Sequence, residues 1–305
     1  MKRIIGLGSL AMDIMLQVAE LPAEDGFALI NNTSTVHGGS AANVITQATR
    51  LGAETGFIAQ IGDDSVGVQL RDTLRQEGID VSAMPVKKGG VSLHTNIVVD
   101  QRGSKFIMLN MGDCFLDLRP EQIDTDYLCA GDIFYTDLLP KDAALFALKK
   151  AKQAGLTTVF NLQLDLGTMQ QFGIGADTIF EALEYVDIFA PCRQGLHKLY
   201  ESTCDIKCIE KYQAQYSGLL VLTLGAEGAL GVSPSENARV SAHPVKVVDT
   251  TGAGDSFLGA FMYSYLIAGS SLRDALQFSS VAAGLTCTKL GARQSPVLAQ
   301  VISQL

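Results

Sequence analysis

Residues 249–257 read DTTGAGDSF, in which Gly252 and Gly254 bracket Ala253 and a carboxylate follows at Asp255, where an apolar helix begins. Glycines let the backbone take positive φ and let another group approach the main chain closely. The first N–H groups of a helix have no intrahelical partner and carry partial positive charge, so such a turn can form an anion hole. A carboxylate held there can take a proton from a hydroxyl while the N–H groups stabilise a transferred phosphoryl group. Taken alone, the same residues would also be explained by an N-cap and a plain turn.

Other residues of the same character lie elsewhere in the chain. Gly38-Gly39 leads into a helix that carries Asn43 in its first turn, and Asp13 lies just beyond the first strand. Thr223-Leu224-Gly225 ends a later strand, with Glu227-Gly228 in the turn that follows.

The elements that must position these groups alternate. Apolar runs at 3–8, 55–62, 132–139, 157–164, 186–191 and 218–225 predict strands, and helical spacing falls at 41–52, 65–77, 141–154, 176–185 and 194–201. Gly52, Gly78 and Gly155 stand just past three of the helices, where a left-handed C-cap is wanted. Such alternation implies an α/β fold with a mainly parallel sheet and helices on both faces. Residues 12–36 and 91–110 break the rhythm with period-two alternation, the second around an Arg102-Gly103 turn, and predict a small antiparallel ribbon that projects from the main domain. The main α/β domain would then comprise 1–11, 37–90 and 111–305, with an all-helical end from 254 to 305.

Composition narrows the classes. The chain has 305 residues, 47% of them hydrophobic, with 23 basic and 32 acidic residues for a net charge of −9. That balance gives no attraction for a phosphate backbone, so no nucleic-acid partner is expected. The 6 cysteines show no C-x-x-C pair and fit buried reduced thiols. No signal peptide and no apolar run of roughly 18 residues is seen, so a cytoplasmic protein without a membrane partner is expected. His37, His94, His197 and His243 share no ligand spacing, and GDDSVG at 62–67 fits a capping turn better than a metal site.

With these segments in view, the chain resembles the ribokinase-like (PfkB) carbohydrate kinases over essentially its whole length. The resemblance rests on the early Gly…Asp segment, GG-x-x-x-N at 38–43, IGDDSVG at 61–67, LTLGAEGA at 222–229 and DTTGAGDSF at 249–257. It implies a three-layer α/β/α fold with a small β-sheet lid, formed by 12–36 and 91–110, that closes over the sugar and often joins a homodimer. It implies ATP as phosphoryl donor with Mg²⁺, Asp255 as catalytic base, and Gly252, Ala253 and Gly254 as the anion hole. Asp13, Gly38, Gly39 and Asn43 match positions that bind sugar hydroxyls, and a carboxylate with an amide suits a vicinal diol. Thr223, Gly225 and Gly228 would line the ATP site, with 279–284 near the adenine. Asp249, Thr251, Thr286, Lys289, Gly291 and Ser295 match positions that hold a monovalent cation such as K⁺.

The sequence departs from the family pattern at one place. Where the family has Asn-x-x-Glu, which helps arrange Mg²⁺, this chain has Cys192, Arg193, Gln194 and Gly195. Arg193 is a candidate phosphate contact instead, and Asn161, Gln163 and Asp165 are candidate substitutes near the metal. The expected activity is ATP-dependent phosphorylation of a small sugar or sugar derivative; a nucleoside kinase and a non-catalytic binder on the same fold stay open. GLGSLA at 6–11 formally fits a dinucleotide fingerprint, but Pro22 and FALINN follow where a helix and an acid-ended strand are needed.

Overall fold

The computed structural model describes residues 2–305. Strands β1 (Arg3–Leu7), β2 (Ala11–Val18), β3 (Ile30–Gly38), β4 (Glu54–Ile58), β5 (Ile61–Gly62), β6 (Val86–Lys87), β7 (His94–Val99) and β8 (Lys105–Asn110) occupy the first third. They are followed by β9 (Ile133–Thr136), β10 (Thr157–Leu162), β11 (Ile188–Pro191), β12 (Leu219–Thr223), β13 (Ala229–Val232) and β14 (Asn237–Val240). The helices are α1 (Ser40–Arg50), α2 (Ser65–Gln76), α3 (Thr125–Cys129), α4 (Lys141–Gln153), α5 (Leu166–Gln171), α6 (Ala176–Leu183), α7 (Arg193–Leu199), α8 (Asp205–Gln213), α9 (Ala253–Phe261), α10 (Leu272–Thr286) and α11 (Leu298–Ile302).

Eight strands form the main sheet in the order β14-β13-β12-β11-β10-β9-β1-β4, parallel from β12 to β4, with β13 and β14 antiparallel at one edge. Its central strands are buried on both faces, which is why they read as unbroken apolar runs. One core cluster packs α1, α9 and α10 on one face, through residues such as Ile45, Phe257 and Leu276; another packs α4, α6 and α8 on the opposite face. The strands' carboxyl ends line up at one rim, placing Ser9, Asp137, Asn161, Cys192 and Thr223 just past or at the ends of β1, β9, β10, β11 and β12. Open α/β sheets bind ligands at this rim.

A second sheet, in the order β3-β2-β7-β8, stands apart from the first. The chain crosses between the sheets near Ser9, Gly38, Val91-Ser92 and Met111-Gly112, and side chains grip the first three crossings. Asp137 accepts from Ser9 N and Oγ at 3.1 and 2.5 Å, and Asp64 accepts from Ser92 N and Oγ at 2.9 and 2.7 Å. Asp113 accepts from Val91 N at 2.7 Å, and Arg293 donates to the Gly38 carbonyl at 2.7 Å.

Three sequence readings are corrected. The run at 55–62 is two elements: β4 stops at Ile58, and Ile61-Gly62 leaves the main sheet to pair with β6. The segment 254–305 is not helical throughout, because residues 287–297 form an irregular loop between α10 and α11. Strands β13 and β14 were not expected; at four residues each they are too short for a clear period.

Candidate active site

The turn that precedes α9 has the geometry that its glycines permit. Gly252 is left-handed with φ 79°, and a Cβ there would collide with the Ala292 backbone. Asp255 then falls in the first turn of α9, where the unpaired N–H groups lie. Helix α1 starts in the same way, from Gly39 with φ 87°, whose Cα faces Leu10 and the Ser9 carbonyl too closely for any side chain. The two helices meet: Ser40 donates to Asp255 Oδ1 and Asn43 Nδ2 donates to Asp255 Oδ2 at 2.9 Å. The surrounding protein raises the pKa of Asp255 by desolvation, against the hydrogen bonds of Ser40 and Asn43 and the charge of Arg293.

Asp13 lies on β2 beside this cluster. Thr95 of β7 donates to its Oδ1, and a Cβ on Gly38 would sit 3.4 Å from its Oδ2. Thus Asp13, Gly38, Gly39 and Asn43 collect between the small sheet and the start of α1, on the side of Asp255 that faces the second sheet. Asn43 and Arg293 are buried, at 6% and 7% exposure, and Arg293 Nε donates to Asn43 Oδ1 at 3.1 Å.

Two cavities adjoin the start of α9. One, of about 340 Å³, is lined by Asp255, Thr251, Asn161, Gln163 and Cys192. The other, of about 590 Å³, is lined by Gly225, Gly228, His243, Val245, Ala283 and Gly284. Thr223, Gly254 and Phe257 line both, so the cavities are contiguous, and Ala253 borders the larger one. Thr223, Gly225 and Gly228 therefore come together, and Ser280, Ala283 and Gly284 place part of 279–284 in the same wall.

The Cys192–Gly195 segment is structural as it stands. Cys192 caps α7, its Sγ accepting from Gly195 N at 3.2 Å. A Cβ at Gly195 would press on Leu164 O and Cys192 Sγ, both at 3.2 Å, so a side chain there requires these neighbours to give by a few tenths of an ångström. Arg193 is held by carboxylates, clasping Asp205 at 2.6 and 3.0 Å and Glu227 at 2.6 Å, and does not line either cavity. Asp165 caps α5 through Gly167 N and Thr168 Oγ1, both at 2.9 Å, and is absent from the cavity wall. His197 pairs with Asp205, His37 with Thr73, and His94 with Ser92 and Asn110, leaving His243 as the histidine of the cavities.

Among the described residues no group of three His, Cys, Asp or Glu side chains is arranged to hold a metal. Mg²⁺ needs little from protein when phosphates and water complete its octahedron. The amides of Asn161 and Gln163 in the smaller cavity fit that limited role. Of the positions matched to a monovalent cation, Asp249 accepts from Thr251 N, Thr251 Oγ1 and Gly291 N at 3.0, 2.7 and 2.9 Å. The Thr286 hydroxyl bonds to Ala282 O and Ser256 Oγ, while Ser295 faces Arg50.

The sequence analysis did not single out Ser40, although it stands in the quoted Gly-Gly segment, nor Asp137 or Arg293. Only Ser40 had a local signal, its place directly before Asn43's turn.

Comparison with known proteins decides the family. The profile described as "pfkB family carbohydrate kinase" matches residues 1–298. The chain belongs to that family. An ATP-dependent ribose-1-phosphate kinase of Halopiger xanaduensis is 29% identical over 303 residues, covering 97% of this chain and 95% of its own. A 5-dehydro-2-deoxygluconokinase of Bacillus licheniformis is 26% identical, covering 98% of this chain and 94% of its own. The crystal structure of Thermotoga maritima ribokinase superposes with a TM-score of 0.84 at 25% identity, covering 99% of both chains. Arabidopsis thaliana ribokinase with ribose and ATP has a TM-score of 0.86 at 22% identity, covering 99% of this chain and 98% of its own, and supports the ribokinase fold. This PfkB protein is an ATP-dependent sugar kinase. No helix among its described residues is long and apolar enough to cross a membrane.

Proposed function

We propose that this PfkB kinase transfers the γ-phosphoryl group of ATP to a hydroxyl of a small sugar or sugar derivative, with Asp255 as general base. The observation that carries the reading is the place of Asp255: in the first turn of α9, in the wall of the smaller of two contiguous cavities and hydrogen-bonded to Asn43, which follows the Gly38-Gly39 turn beside Asp13. The adenosine occupies the larger cavity and the polyphosphate runs past Thr223 and Gly254 toward the smaller. The sugar lies over Gly39, with Asp13 and Asn43 binding adjacent hydroxyls, and presents one hydroxyl to Asp255.

In the transfer the hydroxyl oxygen forms a bond to the γ-phosphorus, the bond to the ADP oxygen breaks, and the hydroxyl proton passes to Asp255. The N–H groups of Gly252, Ala253 and Gly254 stabilise the charge on the equatorial oxygens. Mg²⁺, when bound with the nucleotide, neutralises phosphate charge. Burial raises the pKa of Asp255, which strengthens it as a base, while the hydrogen bonds of Ser40 and Asn43 and the charge of Arg293 act in favour of its anion. The loop around Gly291 and Asp249 is the proposed seat of K⁺, checked by comparing rates in KCl and NaCl.

The second sheet is the proposed lid, which excludes water that would compete as acceptor. Its edge strand β8 exposes Phe106, Ile107, Met108 and Leu109, each between 42% and 56%, so apolar side chains lie on both faces of an unpaired edge. Such an edge needs a cover, and a second copy of this chain is the proposed one. Light scattering of the wild type and of Phe106→Lys/Met108→Lys checks it: a dimer that the variant dissociates is expected, and a wild-type monomer overturns it.

An ADP-release screen across pentoses, hexoses, sugar acids, sugar phosphates and nucleosides, with Asp255→Ala in parallel, tests the function. A hit that Asp255→Ala abolishes supports it. A hit that survives the substitution refutes Asp255 as base.

A further inference from the structure

Arg293 takes no part in the transfer as described, yet it is a buried ion at the centre of the site. It lies on the loop between α10 and α11 and is 7% exposed. A buried charge is costly unless it is well paired. The two hydrogen bonds of Arg293 go to an amide oxygen and a carbonyl rather than to a carboxylate: Asn43 Oδ1 at 3.1 Å and Gly38 O at 2.7 Å. Its Nη1 has no partner among the described residues. Burial pushes its pKa down to about 10, so it still carries its charge at neutral pH.

The consequence falls on Asn43. A primary amide has one accepting and one donating end, and a guanidinium has donors only. Arg293 therefore requires the oxygen of Asn43 on its side, which leaves the NH₂ for Asp255 Oδ2 at 2.9 Å. Without Arg293 the amide can turn over and set its oxygen against the carboxylate. The groups acting on Asp255 are Ser40 and Asn43 from α1, Tyr135 and Asp137 from β9, and Arg293 from the loop. Arg293 is the cation among them. We propose that Arg293 is a positioning residue: through Asn43 it fixes the amide orientation that holds the Asp255 carboxylate, and its positive charge favours the carboxylate's anionic form. The inference rests on Asp255 as the base.

The test separates the two claims by reading Asp255 without turnover. Protein labelled with ¹³C at the aspartate carboxyls is titrated by NMR, and the Asp255 signal is assigned by its loss in Asp255→Asn. In Arg293→Gln its titration is expected about one pH unit higher, a roughly tenfold change in ionisation constant. The acid limb of kcat should move with it while KM for ATP stays put, and Arg293→Lys should return the titration to near the wild-type position. An unmoved Asp255 titration in folded Arg293→Gln would overturn the inference. A moved titration with no effect on turnover would instead refute Asp255 as base. Should Arg293→Gln fail to fold, Arg293→Lys decides: it keeps the charge and loses the fork, so kcat should fall about threefold to tenfold, and an unchanged kcat overturns the proposal.

Discussion

Gly259 lies one helical turn beyond Asp255 on α9, on the face packed against α1. A Cβ added there would stand 2.8 Å from Gln47 Cβ and 3.0 Å from Gln47 Cγ, and closer still to the Val44 carbonyl oxygen. Ordinary contact begins at 3.4 Å, so Gly259→Ala must push α9 from α1 by at least about 0.6 Å. Neither obstacle is the far end of a flexible side chain. The same shift carried to Asp255 stretches its 2.9 Å bond from Asn43 to about 3.5 Å, the limit of a hydrogen bond. Overpacking of this kind costs roughly 1–3 kcal/mol of stability, or a few degrees in Tm for a chain of this size. Displacing a catalytic group by up to an ångström can cost about a hundredfold in rate. Melting curves and kcat of Gly259→Ala are to be set beside Gly175→Ala, whose Cβ meets open space. The expected outcome is a modest drop in Tm with kcat down tenfold to a hundredfold, and no effect in the control. A normal kcat at a lowered Tm would refute the claim that α1–α9 spacing sets the position of the base.

Three further outcomes are expected. kcat should fall as pH drops through the Asp255 pKa, and because burial raises that pKa the loss occurs above the ordinary carboxylate range; a pH–rate profile flat to about pH 4 would contradict it. Gly284→Ala should raise KM for ATP several-fold with kcat little changed, since its Cβ would press on His243 in the wall of the larger cavity at 3.2–3.3 Å. Arg193→Ala should leave KM for ATP and kcat unaltered and Tm little changed, because its partly exposed ion pairs with Asp205 and Glu227 are screened by solvent; a tenfold rise in KM for ATP would point to a phosphate contact.

The main sheet was legible because parallel central strands bury both faces and leave long apolar runs, as in RIIGL and LLVLT. The helix stops were legible from chemistry: Gly52, Gly78 and Gly155 all take positive φ just past α1, α2 and α4. Asp64 caps α2 through Gly67 N, which accounts for the GDDSVG turn without a metal. The four-residue strands β13 and β14 were not legible, since so few residues carry no period. Within the site, residues on glycine turns announced themselves locally, whereas Arg293 and Asp137 did not. Their partners Asn43, Gly38 and Ser9 lie more than a hundred positions away, and nothing local marks an arginine in an irregular loop as a buried ion. Asp165, a candidate metal neighbour in the sequence, is engaged locally as the cap of α5 and does not line the cavity beside Asp255.

The gripped crossings between the two sheets have a mechanical consequence. Asp137, Asp64, Asp113 and Arg293 pin the chain at Ser9, Ser92, Val91 and Gly38, so bending is confined to the few bonds beyond each pin. As the lid proposed above, the small sheet would swing as a panel carrying Asp13, while Gly39 and Asn43 stay with the frame. A molecule that touches only the frame has no handle with which to draw the panel shut. On that proposal, sugars stripped of the hydroxyl assigned to Asp13 would leave the chamber ajar, and the enzyme would spill phosphate to water instead of delivering it. The ratio of ADP released to sugar phosphorylated, near unity for the true substrate, measures how well the panel latches.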